Sequence, residues 1–383
     1  MQPTAQDEQF MREALALARQ GIALASPNPM VGAVVVDATG EVSGRGFHAY
    51  DGVKHAEVLA IEQAGDRSRG ATLYLNLEPC SHQGRTGPCA DAVIAAGIKR
   101  VFAAMEDPNP RVRGEGFARL RSAGLEVHVG LLEPEAKYLN EAFAKFARTK
   151  MPLVTLKAGM TLDGKIAPPP GDPLAPALGT TNWITSGHAR AHVQELRHQM
   201  DAIMVGVGTV IADDPLLTDR TGLPRRRRLL RVVLDSRLRL PLDSRLVKTV
   251  KDEDLIVFCS FAEEKRKAEL ETRGIHVCQV AMAKQAGHPD LSHVLRWLGE
   301  MNIQSLLIEG GANVNWVALE NRLVDKVFLY YAPKILGGSH AVPMAGGRGF
   351  RDMTDAALVT NIRLHRFGED FAAEGYLKDP YSE

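Results

Sequence analysis

The chain is short of cysteine. Its 383 residues contain four, at positions 80, 89, 259 and 278. That is too sparse for a disulfide scaffold, and a reducing compartment is expected. It has no excess of charge, because 46 Lys and Arg balance 46 Asp and Glu. A protein built to grip long nucleic acids carries a basic excess, so that class is disfavoured. No apolar run reaches the roughly 18 residues of a membrane span. The opening MQPTAQDEQF has neither a basic n-region nor an apolar core, so no signal peptide is expected and the cytoplasm is the default location. There is no internal repeat, and G-x-G-x-x-G, the dinucleotide fingerprint, does not occur. What remains is ordinary globular composition, 45% apolar and 24% charged, and enough chain for two domains, with a third allowed.

Apolar periodicity predicts a helix over residues 7–24, ended by Ser26-Pro27-Asn28-Pro29, since proline cannot continue it. Residues 30–36 form a β-branched apolar run and read as a buried strand. Strands over 41–48, 71–77, 99–105 and 125–129 then alternate with helices over 55–64, 87–97 and 116–123, the pattern of a layered α/β domain. One long helix is expected over 133–150, rich in Ala, Lys and Glu. Met151-Pro152 breaks it, which places a domain boundary near 149 and gives domains 1–149 and 150–383. A second α/β series follows, with strands over 153–158, 202–205, 231–234, 254–259, 275–280, 304–308 and 326–331. Residues 167–179 hold five prolines and read as a loop, and the basic run 224–228 as a solvated loop.

The strongest chemical signal is His55-Ala56-Glu57, then Pro79-Cys80, then Pro88-Cys89. Zinc favours nitrogen and thiolate ligands, and a catalytic zinc keeps three protein ligands and one open position for water. His55, Cys80 and Cys89 supply that count. The metal brings the pKa of bound water towards neutrality. Glu57, two residues after His55 at a helix start, can face the open position and shuttle the proton to a leaving amino group. The nucleobase-deaminase signature H-x-E…P-C-x-x-C has two residues between its cysteines; this chain has Ser81 to Pro88 there. A helix beginning at Cys89 would favour its thiolate through the helix dipole. Two bland readings stay open: a structural zinc with His82 as fourth ligand, or two buried thiols.

At this point the residues resemble one family. The run Pro27-Asn28-Pro29 to Val31-Gly32-Ala33-Val34 leads to Gly44-x-Gly46-x-His48 and His55-Ala56-Glu57. Glu78-Pro79-Cys80-Ser81-His82-x-Gly84-Arg85-Thr86-x-Pro88-Cys89 and Asp107-Pro108-Asn109-Pro110 complete the first half. The second half adds Leu162-Asp163-Gly164-Lys165, Trp183-Ile184-Thr185, Asp213-Asp214-Pro215 and Glu309-Gly310-Gly311. Together they are similar to the bifunctional riboflavin-biosynthesis deaminase/reductases, whose own form of the site has the long Cys–Cys spacing. The resemblance implies an α/β protein with a cytidine-deaminase-like three-layer N-terminal domain and a dihydrofolate-reductase-like C-terminal domain. It implies zinc-dependent removal of the 2-amino group of a phosphoribosylated diaminopyrimidinone, then NADPH-dependent reduction of ribosyl to ribityl. By the same resemblance His55, Cys80 and Cys89 hold zinc, Glu57 moves the proton, and Asn28 and His48 meet the substrate.

In the second domain the residues alone say less. Val205-Gly206-Val207-Gly208-Thr209 and Ile308-Glu309-Gly310-Gly311-Ala312-Asn313 are strand-to-helix turns of a kind that binds phosphate, but an ordinary connection accounts for either. The resemblance assigns NADPH to Gly159, Trp183, Thr209, Asp213, Ser236 and the segment Gly311, Ala312, Asn313, Val314, Asn315, Trp316, Val317. It assigns substrate to Thr181, Arg197, Leu217, Arg220 and Glu309. Arg197 and Arg220 suit a sugar phosphate. Lys157, Asp213 and Glu309 could orient the ribose and supply a proton, with the acid among them open. Residues 168–179 exceed the family's usual link. A small-molecule substrate, no nucleic acid or membrane partner, and a homo-oligomer are expected. The competing readings are a nucleic-acid or nucleoside base deaminase and a non-catalytic zinc-stabilised binding protein.

Overall fold

In the computed structural model, which describes residues 3–169, 183–283 and 287–382, the apolar run after Pro29 becomes strand β1 (Gly32–Val36), buried along its whole length. Ahead of it lies helix α1 (Ala5–Arg19), shorter than its periodicity predicts. Its start is fixed by a capping box: Asp7 N–H donates to Thr4 Oγ1 at 3.2 Å and Thr4 N–H to Asp7 Oδ2 at 2.7 Å. There follow β2 (Val42–Phe47), α2 (Ala56–Ala64), β3 (Thr72–Leu75), α3 (Cys89–Ala95), β4 (Arg100–Ala103), α4 (Glu115–Ser122), β5 (Glu126–Val129), α5 (Glu133–Leu139) and α6 (Glu141–Thr149). The sheet order is β2-β1-β3-β4-β5; β1 is antiparallel to both neighbours, and β3, β4 and β5 run parallel.

Three glycines let helices lie hard on this sheet. A Cβ on Gly32 would stand 2.1 Å from Ala14 O of α1. On Gly44 it would stand 1.9 Å from Ala60 O, and on Gly46 2.3 Å from Ala56 O, both of α2. Gly46 and Gly44 pair with Ala33 and Val35, so they face the opposite side from Gly32. The result is three layers, with α1 on one face and α2 on the other.

The expected single helix over 133–150 is two. Asn140, buried, leaves the helical region at φ −107° and ψ 19°. Its side chain accepts from Met30 N–H at 2.8 Å and donates to Met30 O at 3.0 Å, saturating the backbone just ahead of β1. That long-range pair outweighs local helix propensity.

The second series comprises β6 (Leu153–Thr161), β7 (Lys165–Ala167), α7 (Gly187–His198), β8 (Ala202–Gly206), α8 (Val207–Asp213), β9 (Leu230–Leu234), α9 (Arg245–Lys248), β10 (Leu255–Cys259), α10 (Glu264–Glu271), β11 (His276–Gln279), α11 (Leu291–Glu300), β12 (Ser305–Ile308), α12 (Ala312–Glu320), β13 (Lys326–Ala332), β14 (Val342–Pro343), β15 (Thr360–Phe367) and β16 (Asp370–Tyr376). The sheet order is β11-β10-β9-β8-β12-β6-β13-β16-β15, parallel except where β16 runs against β13 and β15. Strand alternation divides its core between two faces. Val233, Val257 and Leu307 join one cluster, and Val232, Ile256, Leu306 and Ile308 the other. The short pair β7 and β14 and the hairpin of β15 and β16 are not foreseen by the sequence reading. Ala167 lies in β7 instead of the expected loop, and residues 170–179 of that loop lie outside the described residues.

The chain divides into two compact units, 1–149 with 224–227, and 150–223 with 228–383. The basic run is therefore not simply a solvated loop. Arg226 lies 3.9 Å over the Tyr50 ring, pairs with Asp51 at 3.0 Å and donates to Ser26 O at 3.0 Å. Among the described residues no helix is long and apolar enough to cross a membrane.

Candidate active sites

In the N-terminal unit α2 brings the first ligand. His55 is its N-cap residue, and Ala56 and Glu57 form its first turn. Gly44 and Gly46 set how close that turn comes to the sheet. The chain leaving β3 brings Cys80, and α3 begins at Cys89. The ligand atoms of His55, Cys80 and Cys89 all lie within 4.8 Å of one another. His55 Nδ1 is 3.1 Å from Cys89 Sγ and 3.6 Å from Cys80 Sγ. Tetrahedral zinc with ordinary bond lengths separates N and S by roughly 3.5 Å. Among the described residues this is the one cluster of its kind, and His82 is not in it. The donor set thus fits three-ligand zinc.

The helix start serves the other cysteine from the one expected. Cys89 N–H donates to Cys80 Sγ at 3.3 Å. A hydrogen bond from the Cys89 thiol, offset by burial and joined by one from His55, brings the Cys80 thiol down to about 4. Cys89, as the donor, is pushed up. A divalent cation held by both would favour the two thiolates.

Glu57 is buried, and its Oε2 has no hydrogen-bond partner among the described residues. Burial pushes its carboxyl up to about 7, with His55 pulling the other way. An orphaned buried carboxylate oxygen costs stability and marks a functional position. Beside it His48 packs edge-on to His55, with ring centroids 5.0 Å apart. His48 Nδ1 contacts Lys54 O at 3.0 Å and Nε2 contacts Asn28 Nδ2 at 3.0 Å. That pattern fixes the neutral tautomer with the proton on Nδ1, and burial lowers the pKa further. At the rim, Arg85 donates to Tyr50 O at 2.8 Å and lies over the Tyr50 ring at 4.5 Å, beside Arg226.

In the C-terminal unit the parallel register pairs Ile308 of β12 with Leu156 of β6, which sets Glu309 beside Lys157. Arg197 of α7 grips Glu309 in a fork, Nε to Oε1 at 2.6 Å and Nη2 to Oε2 at 2.9 Å. Lys157 Nζ approaches Oε2 at 3.4 Å. Burial alone would raise Glu309; the two cations bring it down to about 2. Arg197 is itself buried and also donates to Thr218 O at 3.0 Å. Its guanidinium thus holds Glu309 and the loop after Leu217. Arg220 is exposed and anchored through its N–H to Gln194 Oε1 at 3.1 Å.

Gly310 and Gly311 have φ of 86° and 78°, and a Cβ on Gly311 would stand 2.9 Å from Thr209 Oγ1. A Cβ on Gly206 would meet Val314 at 2.9 Å. The two turns therefore pack together at the carboxyl ends of β8 and β12, with Ser236 just past the end of neighbouring β9. That edge is where open parallel sheets receive ligands. Asn313 is exposed there, whereas Asn315 and Trp316 are buried. Asn315 donates to Met344 O at 2.7 Å, and the Trp316 ring lies where a Cβ on Gly347 would go, so these two side chains hold a loop. Gly159 lies on β6 near Thr185. Trp183 is exposed, with Arg190 over its ring at 4.8 Å. Leu217 is buried at φ 52°. Asp213 ends α8 with its side chain exposed, while Asp214 accepts from Arg245 N–H at the start of α9, 2.7 Å. Thr181 lies outside the described residues. The sequence reading missed His198 and Asp219, a buried pair at 2.7 Å that pins the loop carrying Leu217 and Arg220.

Residues 4–105 match the cytidine and deoxycytidylate deaminase zinc-binding region, and residues 152–372 match the RibD C-terminal domain. The riboflavin biosynthesis protein RibD of Actinobacillus pleuropneumoniae is 42% identical over 377 residues, 98% of this chain and 97% of that one. The chain belongs to the RibD family. RibD of Escherichia coli K12 is 39% identical, covering 95% of this chain and 98% of its own. Among solved structures, Acinetobacter baumannii RibD superposes with a TM-score of 0.82 at 35% identity, covering 97% of this chain and 98% of that one. A Thermotoga maritima diaminohydroxyphosphoribosylaminopyrimidine deaminase/5-amino-6-(5-phosphoribosylamino)uracil reductase gives 0.79 at 36% identity, with the same coverage. The expected fold class holds: a cytidine-deaminase-like unit precedes a dihydrofolate-reductase-like unit, and the chain is a bifunctional deaminase and reductase of riboflavin biosynthesis.

Proposed function

We propose that residues 1–149 carry hydrolytic removal of the 2-amino group of 2,5-diamino-6-(5-phosphoribosylamino)pyrimidin-4-one. Residues 150–383 then carry reduction of its ribosyl group to ribityl. The observation that carries the first half is the buried Glu57 carboxylate, its Oε2 unpartnered among the described residues, beside the three-residue cluster of His55, Cys80 and Cys89. Zinc held by those three would supply a bound water of near-neutral pKa. Glu57, poised near neutrality by burial, holds the proton and delivers it to the leaving amino group. Asn28 and neutral His48, fixed by each other and by Lys54 O, orient the pyrimidine edge.

For the second half the paired glycine turns make the cradle, with Thr209, Gly311 and Asn313 at its lip and Gly159, Trp183, Asp213 and Ser236 along the same edge of the unit. NADPH would supply the hydride there. Glu309, held ionised by Arg197 and Lys157, has no proton to give; it orients the ribose, and Lys157 is the donor. Exposed Arg220 takes the sugar phosphate. The substrate is a small molecule and the cytoplasm its place of action; the balanced charge disfavours nucleic acid as a partner. The edge strand β15 exposes Ile362 (59%) and Leu364 (72%), which supports a homo-oligomer.

The test follows ammonia and NADPH separately with the purified diaminopyrimidine phosphate. Ammonia release should precede NADPH oxidation. NADPH oxidation without ammonia release would overturn the assignment of the N-terminal site.

A further inference from the structure

We propose that Glu78 is a positioning residue for the metal site, and that with helix α4 it sets where Cys80 stands relative to Cys89. This rests on the reading of His55, Cys80 and Cys89 as zinc ligands. Glu78 is buried two residues ahead of Cys80. Both carboxylate oxygens are saturated by backbone N–H groups. Oε1 accepts from Gly116 at 2.8 Å and Phe117 at 3.3 Å, and Oε2 from Gly114 at 2.9 Å and Asp107 at 3.0 Å.

Helix α4 has Gly114 at its N-cap, at φ 80°, which offers no side-chain cap. A helix start leaves N–H groups without partners, and here a carboxylate from a distant segment takes them, with the helix dipole favouring its charge. The bond works in both directions. It caps α4, and it fixes the segment that bears Cys80.

Four further contacts lock these parts. Gly116 packs so closely on Pro79 that a Cβ would stand 2.0 Å from Pro79 O, one residue before the ligand. Ser81, one residue after it, donates from Oγ to Glu115 Oε2 at 3.2 Å. Arg119 of α4 donates to Ser81 O at 3.3 Å and pairs with Asp91 of α3 at 2.6 Å, two residues past Cys89. One short helix thereby holds both cysteine segments. No such role is visible in the spacing of the ligands, because the partners of Glu78 are backbone N–H groups of a segment 29 to 39 residues away.

The test uses the full-length protein, with zinc affinity read by competition against a chromophoric chelator and thermal unfolding read in parallel. Glu78→Gln turns an amide NH2 towards backbone donors; partners behind metal ligands are worth about 10- to 100-fold in affinity, and a weakening of that size is expected. Added zinc should then restore ammonia release. Arg119→Ala, a partly exposed change that leaves the core intact, should weaken zinc binding in the same direction by less, and it keeps the test open if Glu78→Gln does not fold. Val34→Ala, a cavity in β1 away from these contacts, should lower the unfolding temperature without moving zinc affinity. Unchanged zinc affinity in both variants, or an equal shift in Val34→Ala, overturns the positioning role. A wild-type protein that binds no zinc overturns the metal reading instead, and this proposal with it.

Discussion

Glu57 and Glu309 are the same residue, each with a side chain largely hidden from solvent, and their surroundings drive them apart. Glu57 stands at a helix start with one oxygen unpartnered among the described residues, and burial pushes it up to about 7. Glu309 stands at a strand end between an arginine fork and a lysine, and is held down at about 2. Burial raises a carboxyl unless cations offset the desolvation. The first arrangement makes a group that takes and gives a proton. The second makes a fixed negative charge that orients others. One chain thus uses one side chain for two purposes, and the difference lies in the neighbours.

The largest test of that contrast is Glu57→Gln. General acid–base groups contribute about 10²- to 10⁴-fold, so ammonia release should fall by that range while reduction of the supplied deaminated intermediate continues. The same change removes the burial cost of a carboxylate and should raise the melting temperature of the N-terminal unit. Arg197→Met should do the reverse in the C-terminal unit. Stranding the buried Glu309 charge costs about 3–5 kcal/mol, measurable by denaturant unfolding, and reduction should be lost with it.

Acid stability comes next. Glu309 has its folded pKa lowered, so its contribution is complete above its ordinary 4.5 and is lost as pH falls towards about 2. Two and a half pH units correspond to about 3 kcal/mol. Unfolding measured across that window should show the loss, and Glu309→Gln should flatten it. The smallest effect is expected at Gly311→Ala. Its left-handed backbone and the approach of Thr209 Oγ1 should raise the KM for NADPH on the order of tenfold, a change worth about 1.4 kcal/mol, with ammonia release untouched. A comparable loss of ammonia release would break the separation of the two sites.

The zinc cluster was legible because metal ligation needs particular side chains, and His55, Cys80 and Cys89 announce themselves by type. Gly44 and Gly46 were legible as a motif, but their reason, the closeness of α2, needed the fold. Other features had no local signal. Asn140 sits in a good helical sequence, and only its bond to Met30, far along the chain, splits the helix. The edge strand β15 turns Ile362 and Leu364 outward, so alternation could not reveal a core face. Arg197 was expected on phosphate because Arg suits phosphate; that it is committed to Glu309 depends on the register of β12 against β6. Glu78 reads as one acid among many, since its partners are backbone amides that every residue carries.

The stacking of Arg226 on Tyr50 also bears on how the chain is made. The N-terminal unit includes residues 224–227, which a ribosome delivers long after Thr149. Until then Tyr50 lacks one of its two guanidinium neighbours, and Ser26 and Asp51 lack bonds to Arg226. The deaminase unit is thus finished only once translation is well into the reductase. A gene cut at the boundary would encode a nearly whole domain with its last piece left on the other fragment.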